Sequence, residues 1–317
     1  MKDVRRVLLV LPSVVALVTV ASAQTPVPQL PTFRSAVSLV SLNVTVQDHS
    51  ANYISGLKPE DFAVFEDGVR QDVRFCESAS VPIDLIVLLD TSSSMSDKVD
   101  LVHDAADGFL RTLRPGDRGA VVAFSDNVRV LQPLTDDRGA LVRAVASVQA
   151  HGNTALDDAV YIALKEFGQA ARRNGQVRRQ AIAVLSDGED TSSMVSFDDV
   201  LAVARKMGVN IYTVGLQSAS QMNQIRQDTG RRYLSEGDYT LKTLARETGA
   251  LAFFPTVKEL KAVYETIAGE LAHQYSIGYV PTNPQPDGRF HHVVVQILSR
   301  PGLRPRTRLG YTADGNL

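Results

Sequence analysis

The 317-residue sequence contains a single cysteine, Cys76, so no internal disulfide can form and the core must hold by burial alone. In the alternation Val73-Arg74-Phe75-Cys76 that cysteine reads as a buried side chain, with pairing to a partner as the alternative. An excess of charge of one sign is also missing. The 33 Lys and Arg against 35 Asp and Glu leave a formal −2, which creates no electrostatic demand for nucleic acid or anionic lipid. Past the first residues no apolar run approaches the ~20 residues that span a bilayer, so no membrane span is expected in a mature chain. No internal repeat is found. A Gly-x-Ser-x-Gly elbow and a phosphate-cradling Gly loop of the Walker type are absent too, which removes the sequence signatures of a serine nucleophile and of nucleotide binding.

What is present is an ordinary globular composition, 44% hydrophobic and 21% charged. Lys2, Arg5 and Arg6 precede an apolar run from Val7 to Val20, and Ala21-Ser22-Ala23 supplies small side chains for a signal peptidase. Residues 1–23 are therefore expected to be a cleaved signal peptide, placing the protein in the periplasm or outside the cell. With no cysteine at that cleavage position, a lipid anchor is not expected.

A Pro-rich linker (24–34) leads to an N-terminal β segment, 35–80. Leu42, Val44 and Val46 alternate with Asn43, Thr45 and Gln47, the period of a strand with one wet face. Phe62 and Val64 run into Asp67-Gly68, a hairpin turn signal, and Val73 and Phe75 are expected to continue the return strand. From Val81 the pattern changes. Ile83 to Leu89, Ala120 to Phe124, Ala181 to Leu185 and Val209 to Val214 are nearly continuous apolar strands, as expected where a sheet is covered on both faces. Between them run helical stripes such as Val99, Val102, Ala106, Phe109, Leu110 and Leu113. Strands alternating with helices imply an α/β fold, a doubly wound and mostly parallel sheet with helices on both faces. Its expected extent is 81–280. A polar insertion, 217–236, with Arg226, Arg231 and Arg232, interrupts the rhythm. A C-terminal β segment, 281–317, with strands at Val293 to Ile297 and Arg306 to Tyr311, is expected to pair with 35–80. The α/β domain would then be inserted into a small β-sandwich-like domain.

Ligands of open parallel sheets collect beyond the carboxyl ends of the strands. Three segments at that edge carry Asp90-Thr91-Ser92-Ser93-Ser94, Gly152-Asn153-Thr154 and Ser186-Asp187-Gly188-Glu189-Asp190. Three hydroxyls and two carboxylates are hard ligands suited to Mg²⁺ or Mn²⁺, with Ca²⁺ a further candidate. Neutral Ser and Thr ligands leave such an ion with residual positive charge, able to attract an outside carboxylate through an open position.

In their order and spacing, Asp90-x-Ser92-x-Ser94, Thr154 and Asp187 resemble the metal-ion-dependent adhesion site of the von Willebrand A family. The resemblance implies that Ser92, Ser94 and Thr154 ligate directly, Asp90 and Asp187 directly or through water, and that the partner is a protein offering a carboxylate. The stretch Gly56-Leu57-Lys58-Pro59-Glu60-Asp61-Phe62, Val64-Phe65-Glu66-Asp67-Gly68, and the later Gln274 to Asn283, Arg304-Pro305-Arg306 and Gly310-Tyr311 are similar to an exported bacterial subfamily first described from acidobacteria. Around the ligands, Asp157, Asp158, Glu189 and Asp190 are read as solvated acids or as tuners of cation retention. His151 is read as a satisfied loop histidine or a pH-sensitive modulator. Enzymes that use an aspartate in this place for phosphoryl transfer need a second carboxylate two residues on, where this chain has Ser92, so no enzymatic activity is expected. A structural exported protein whose cation only fastens three loops is the alternative to an adhesion module, with a Mg²⁺-dependent hydrolase behind it.

Overall fold

The computed structural model describes residues 39–78, 81–174, 178–187, 189–216, 235–282, 284 and 287–313. The expected leader and linker, and residues 217–234 of the insertion with Arg226, Arg231 and Arg232, lie outside the described residues. In chain order the strands and helices are β1 (Val40–Gln47), β2 (Phe62–Glu66), β3 (Val69–Gln71), β4 (Val73–Ser78), β5 (Ile83–Asp90), α1 (Val99–Leu110), β6 (Arg118–Phe124), β7 (Val128–Thr135), α2 (Arg138–Ala146) and α3 (Leu156–Asn174). They continue with β8 (Arg179–Ser186), α4 (Phe197–Met207), β9 (Asn210–Gly215), α5 (Glu236–Glu247), β10 (Ala252–Phe253), α6 (Leu260–His273), β11 (Tyr275–Tyr279), β12 (Phe290–Ile297), β13 (Arg304–Arg306) and β14 (Gly310–Thr312).

The central sheet has the order β10-β9-β8-β5-β6-β7. All pairs are parallel except β6 with β7 at one edge. Every residue of β5 is buried, because alternate side chains serve opposite layers. Leu85, Val87 and Leu89 pack with Phe109 of α1, Leu141 of α2 and Tyr264 of α6. Ile86 and Leu88 pack with Val160 and Phe167 of α3, Val200 of α4 and Leu244 of α5. The expected doubly wound α/β sheet is thus the observed one. Helix ends are set locally. The Ser196 hydroxyl accepts from the Asp199 N–H at the start of α4, and Gly208 closes that helix at φ +67°, a left-handed conformation that costs glycine little.

The flanking strands form two antiparallel sheets, β13-β1-β11-β4 and β14-β12-β2-β3. Their inner faces share one core of Val40, Leu42, Val44, Phe62, Tyr275, Ile277, Val293 and Val295, a small β-sandwich. Asp67 and Gly68 both have positive φ (47° and 83°) and turn β2 into β3 as the sequence signals.

Four details differ from the sequence expectation. The return strand of that hairpin is Val69–Gln71. Val73–Ser78 instead crosses to the other sheet and pairs with β11. β11 itself, placed by its position inside 81–280, joins β1 and β4 of the sandwich rather than the parallel sheet. The expected strand from Arg306 to Tyr311 is two short strands in different sheets, β13 on β1 and β14 on β12. The polar face of β1 is not wet: Thr45 is buried and its hydroxyl donates to Glu270 Oε1 at 3.2 Å, while Asn43 Nδ2 donates to Asn210 Oδ1 at 2.7 Å. A period-two pattern reports polar against apolar, and here the polar side meets polar groups of α6 and β9. Cys76 is half-buried against the sandwich core, and burial pushes its thiol up to about 11, so it stays protonated.

Candidate metal centre

β5, β6 and β8 are parallel, so their carboxyl ends and the segments that follow meet on one side of the sheet. Asp90 is the last residue of β5, Ser92 and Ser94 lie in the short 3₁₀ turn after it, Thr154 sits just ahead of α3, and Asp187 follows β8. Hydrogen bonds stitch the three segments together. The Ser93 N–H donates to the Gly152 carbonyl at 2.9 Å and the His151 N–H to the Thr91 carbonyl at 2.6 Å. The Thr191 and Ser192 N–H groups donate to the Thr154 carbonyl at 2.9 and 3.1 Å, and the Thr154 N–H donates to the Thr191 hydroxyl at 3.0 Å. Gly152 has φ +78°, and a Cβ there would lie 1.9 Å from Asp126 Oδ2. That carboxylate instead accepts the Asn153 N–H at 3.0 Å through its other oxygen, so glycine is required for the turn that presents Thr154.

Asp90 is buried, accepts the Ser92 N–H at 2.8 Å through Oδ1, and accepts the Ser186 hydroxyl at 2.5 Å through Oδ2. Burial raises its carboxyl above the usual range, against the pull of those hydrogen bonds, and the charge of Asp187 adds to the rise. The two carboxylates therefore feel each other. The Ser92 and Ser94 hydroxyl oxygens are 2.9 Å apart, the separation of neighbouring ligands in an octahedron with bonds of about 2.1 Å. The Thr154 hydroxyl forms no hydrogen bond with the described residues. Asp187 Oδ1 is buried with no partner. An orphaned carboxylate oxygen beside a second buried carboxylate and three hydroxyls is the donor set of a hard divalent cation, and the residues fit one. Among the described residues no three His, Cys, Asp or Glu side chains converge as a metal group, so the hydroxyls are what complete this set.

The surrounding residues divide into three roles. His151 is held at the rim, Nδ1 3.1 Å from the Ser125 hydroxyl and Nε2 3.3 Å from Arg129. Asp190 and Asp158 organise the loop after Asp187: Asp190 accepts the N–H groups of Asp157, Ser192 and Ser193, and Asp158 those of Met194 and Val195. Glu189 is exposed. The sequence reading did not single out Ser186, Asp126 or Lys98. Ser186 bonds Asp90, Asp126 holds the Thr154 turn, and buried Lys98 reaches the Ser94 and Leu216 carbonyls at 3.4 and 3.5 Å. Adjacency to Asp187 was the only signal for Ser186.

Asp157 is a different case. It is 7% exposed with Oδ1 unpartnered, and burial, then the charges of Asp190 and Asp158, push its carboxyl up to about 7. Below about pH 4 it is protonated whether the chain is folded or not. As pH rises, the unfolded chain ionises first and the folded one keeps the proton to about 7, so stability falls across pH 4–7 and stays lower above. In EDTA, Asp157→Asn is expected to flatten that slope and to be more stable than wild type at pH 8 by on the order of 2 kcal/mol. Urea midpoints across pH 4–8 check this, and parallel curves for the two proteins would refute it.

Comparison with known proteins agrees with this architecture. A solved structure described as a von Willebrand factor type A protein from Catenulispora acidiphila superposes with a TM-score of 0.50 at 13% identity, covering 90% of this chain and 76% of that one. At that identity it shows the fold alone. Among curated relatives, an uncharacterized protein of Borreliella burgdorferi is 25% identical over 165 residues, 49% of this chain and 47% of its own length. An uncharacterized protein of Synechocystis sp. is 29% identical over 113 residues, 35% of this chain and 26% of its own. The match thus spans under half of either relative. The model of the von Willebrand factor type A domain matches residues 84–247, just over half of the sequence, and the chain belongs to that family.

Proposed function

We propose that this chain is an exported, non-enzymatic adhesion module that captures a protein partner through the partner's carboxylate at a divalent cation, Mg²⁺ or Mn²⁺. The observation that supports it most is Asp187 Oδ1, a buried carboxylate oxygen without a partner at the meeting point of three stitched loops. Ser92, Ser94 and Thr154 would hold the cation directly, and Asp90 and Asp187 directly or through water. Bound there, the cation supplies a Lewis-acidic centre, still partly positive because three of its ligands are neutral. Asp90 keeps Ser92 in place through its N–H, and Ser186 fixes the far oxygen of Asp90. His151 and Arg129 at the rim offer positive and hydrogen-bonding character toward an arriving acid. Among the described residues no helix is long and apolar enough to cross a membrane.

The immobilised chain should capture a partner from envelope and extracellular extracts in Mg²⁺, lose it in EDTA, and fail to capture it as Asp187→Ala, with bound proteins read by mass spectrometry. Equal capture by wild type and Asp187→Ala would leave only the structural reading, in which the cation fastens loops and binds nothing beyond them.

A further inference from the structure

At the opposite end of the sheet from the metal centre, the start of β8 and the outer face of the β1/β11/β4 sheet border an open cleft of about 560 Å³. Its walls include Asn43, Phe75, Ser276, Met207, Arg178 and Arg179. The two arginines are not equivalent. Arg178 is paired with Asp84 at 2.6 Å, a carboxylate it shares with Arg118. Arg179 is 6% exposed, yet it forms no ion pair with any described residue. Its Nε donates to the Val81 carbonyl at 3.0 Å and its Nη1 to the Leu271 carbonyl at 2.8 Å, while Nη2 forms no hydrogen bond with the described residues.

The nearest acid, Asp117, is committed elsewhere, its two oxygens accepting the N–H groups of Ile83 and Arg114 at 2.8 and 2.9 Å. Glu77 stands at the wall, exposed and unpaired with Arg179. A guanidinium largely taken out of water without an ion pair is costly, and burial lowers its pKa to about 10 against the pull of the Asp117 charge. Such a group is stable in that place when an anion completes it.

We propose that this cleft is a binding site for a small organic acid, its carboxylate taken by Arg179 Nη2 and its apolar body by Phe75, Val81, Pro82 and Met207. The volume lies in the range of small-molecule sites, and the lining mixes an apolar patch of Phe75, Val81, Pro82 and Met207 with polar and charged side chains. A carboxylate suits the single free edge of Arg179 better than phosphate, which would call for several converging donors. Asn43 and Ser276 add side-chain hydrogen-bonding capacity at the strand side. The site is independent of the metal centre.

The test uses the full chain in EDTA, so that no carboxylate can bind through a cation. Benzoate, 4-phenylbutyrate and octanoate, their amides, and inorganic phosphate are titrated by calorimetry and saturation-transfer NMR. At least one acid should bind with one-to-one stoichiometry, tenfold or more tighter than its amide. Arg179→Gln should abolish that difference. Because Arg179 also ties the Val81 and Leu271 carbonyls, Ser41→Phe serves as a second variant: Ser41 is an exposed strand residue on the cleft wall, and the ring fills the space. It should remove acid binding with the melting temperature kept. Binding by none of the acids, equal binding of acid and amide, preference for phosphate, or acid binding untouched by Ser41→Phe would each overturn the proposal.

Discussion

Saturating Mg²⁺ is expected to raise the melting temperature of the wild-type chain by about 5 °C and to leave Asp90→Asn unmoved. A cation held at one hundred times its dissociation constant stabilises the folded state by about 2.7 kcal/mol, and each kcal/mol shifts a domain of this size by roughly 2–4 °C. The reason for choosing Asp90 is electrostatic. Its carboxyl is raised by burial and by Asp187, so the metal-free site carries two acids that disfavour each other's charge. Asparagine keeps an oxygen for the Ser92 N–H and removes the charge. In EDTA the variant should therefore be at least as stable as wild type, and in Mg²⁺ less stable. Scanning calorimetry of both proteins in both buffers reads all four values. An equal Mg²⁺ shift in Asp90→Asn would show that the cation binds elsewhere.

The second large effect concerns the join between sandwich and α/β sheet. Glu270 of α6 is fully buried. It accepts hydrogen bonds from Tyr212 at 2.7 Å, from Thr45 at 3.2 Å, and from Arg306, which also donates to the Gly249 carbonyl. One carboxylate thus ties β9, β1 and β13 to the last helix. Burial and the Glu270 charge hold the Tyr212 hydroxyl protonated, as a donor. Arg306→Met should cost 3–5 kcal/mol, since it leaves a buried carboxylate without its cation. Adding Glu270→Gln should restore most of that loss, because the orphaned charge goes with it. Urea unfolding of the single and double variants gives the coupling. A loss below about 1 kcal/mol in Arg306→Met would mean that Tyr212 and Thr45 suffice to hold Glu270.

These two networks mark how far the sequence could be read. The continuous apolar strand Ile83–Leu89 and the striped helices announced a sheet covered on both faces, because burial on two sides leaves an unmistakable composition. Asp90, Ser92, Ser94 and Asp187 stood out because they follow parallel strands, whereas Thr154 lies between α2 and α3 and only its motif marked it. The sandwich was less so. Which sheet takes β4, β11 and β13 is decided by pairing across about 200 residues or more, and nothing local to Val73 or Tyr275 encodes it. Thr45 looked wet for the same reason: its partner Glu270 is 225 residues away. That Arg179 lacks an ion pair could not be seen either, since Arg178 beside it is paired and the sequence gives no sign of which neighbour keeps the acid.

The central claim is that Asp187 and its neighbours hold a cation with a coordination position left open to a partner. Water-proton relaxation with Mn²⁺ as the bound ion measures that position directly, since only water exchanging on and off the ion is enhanced. One Mn²⁺ per chain with strong enhancement, reduced as acetate is added and missing in Asp187→Ala, is the result expected. The absence of bound Mn²⁺, or the same enhancement in Asp187→Ala, would contradict the account.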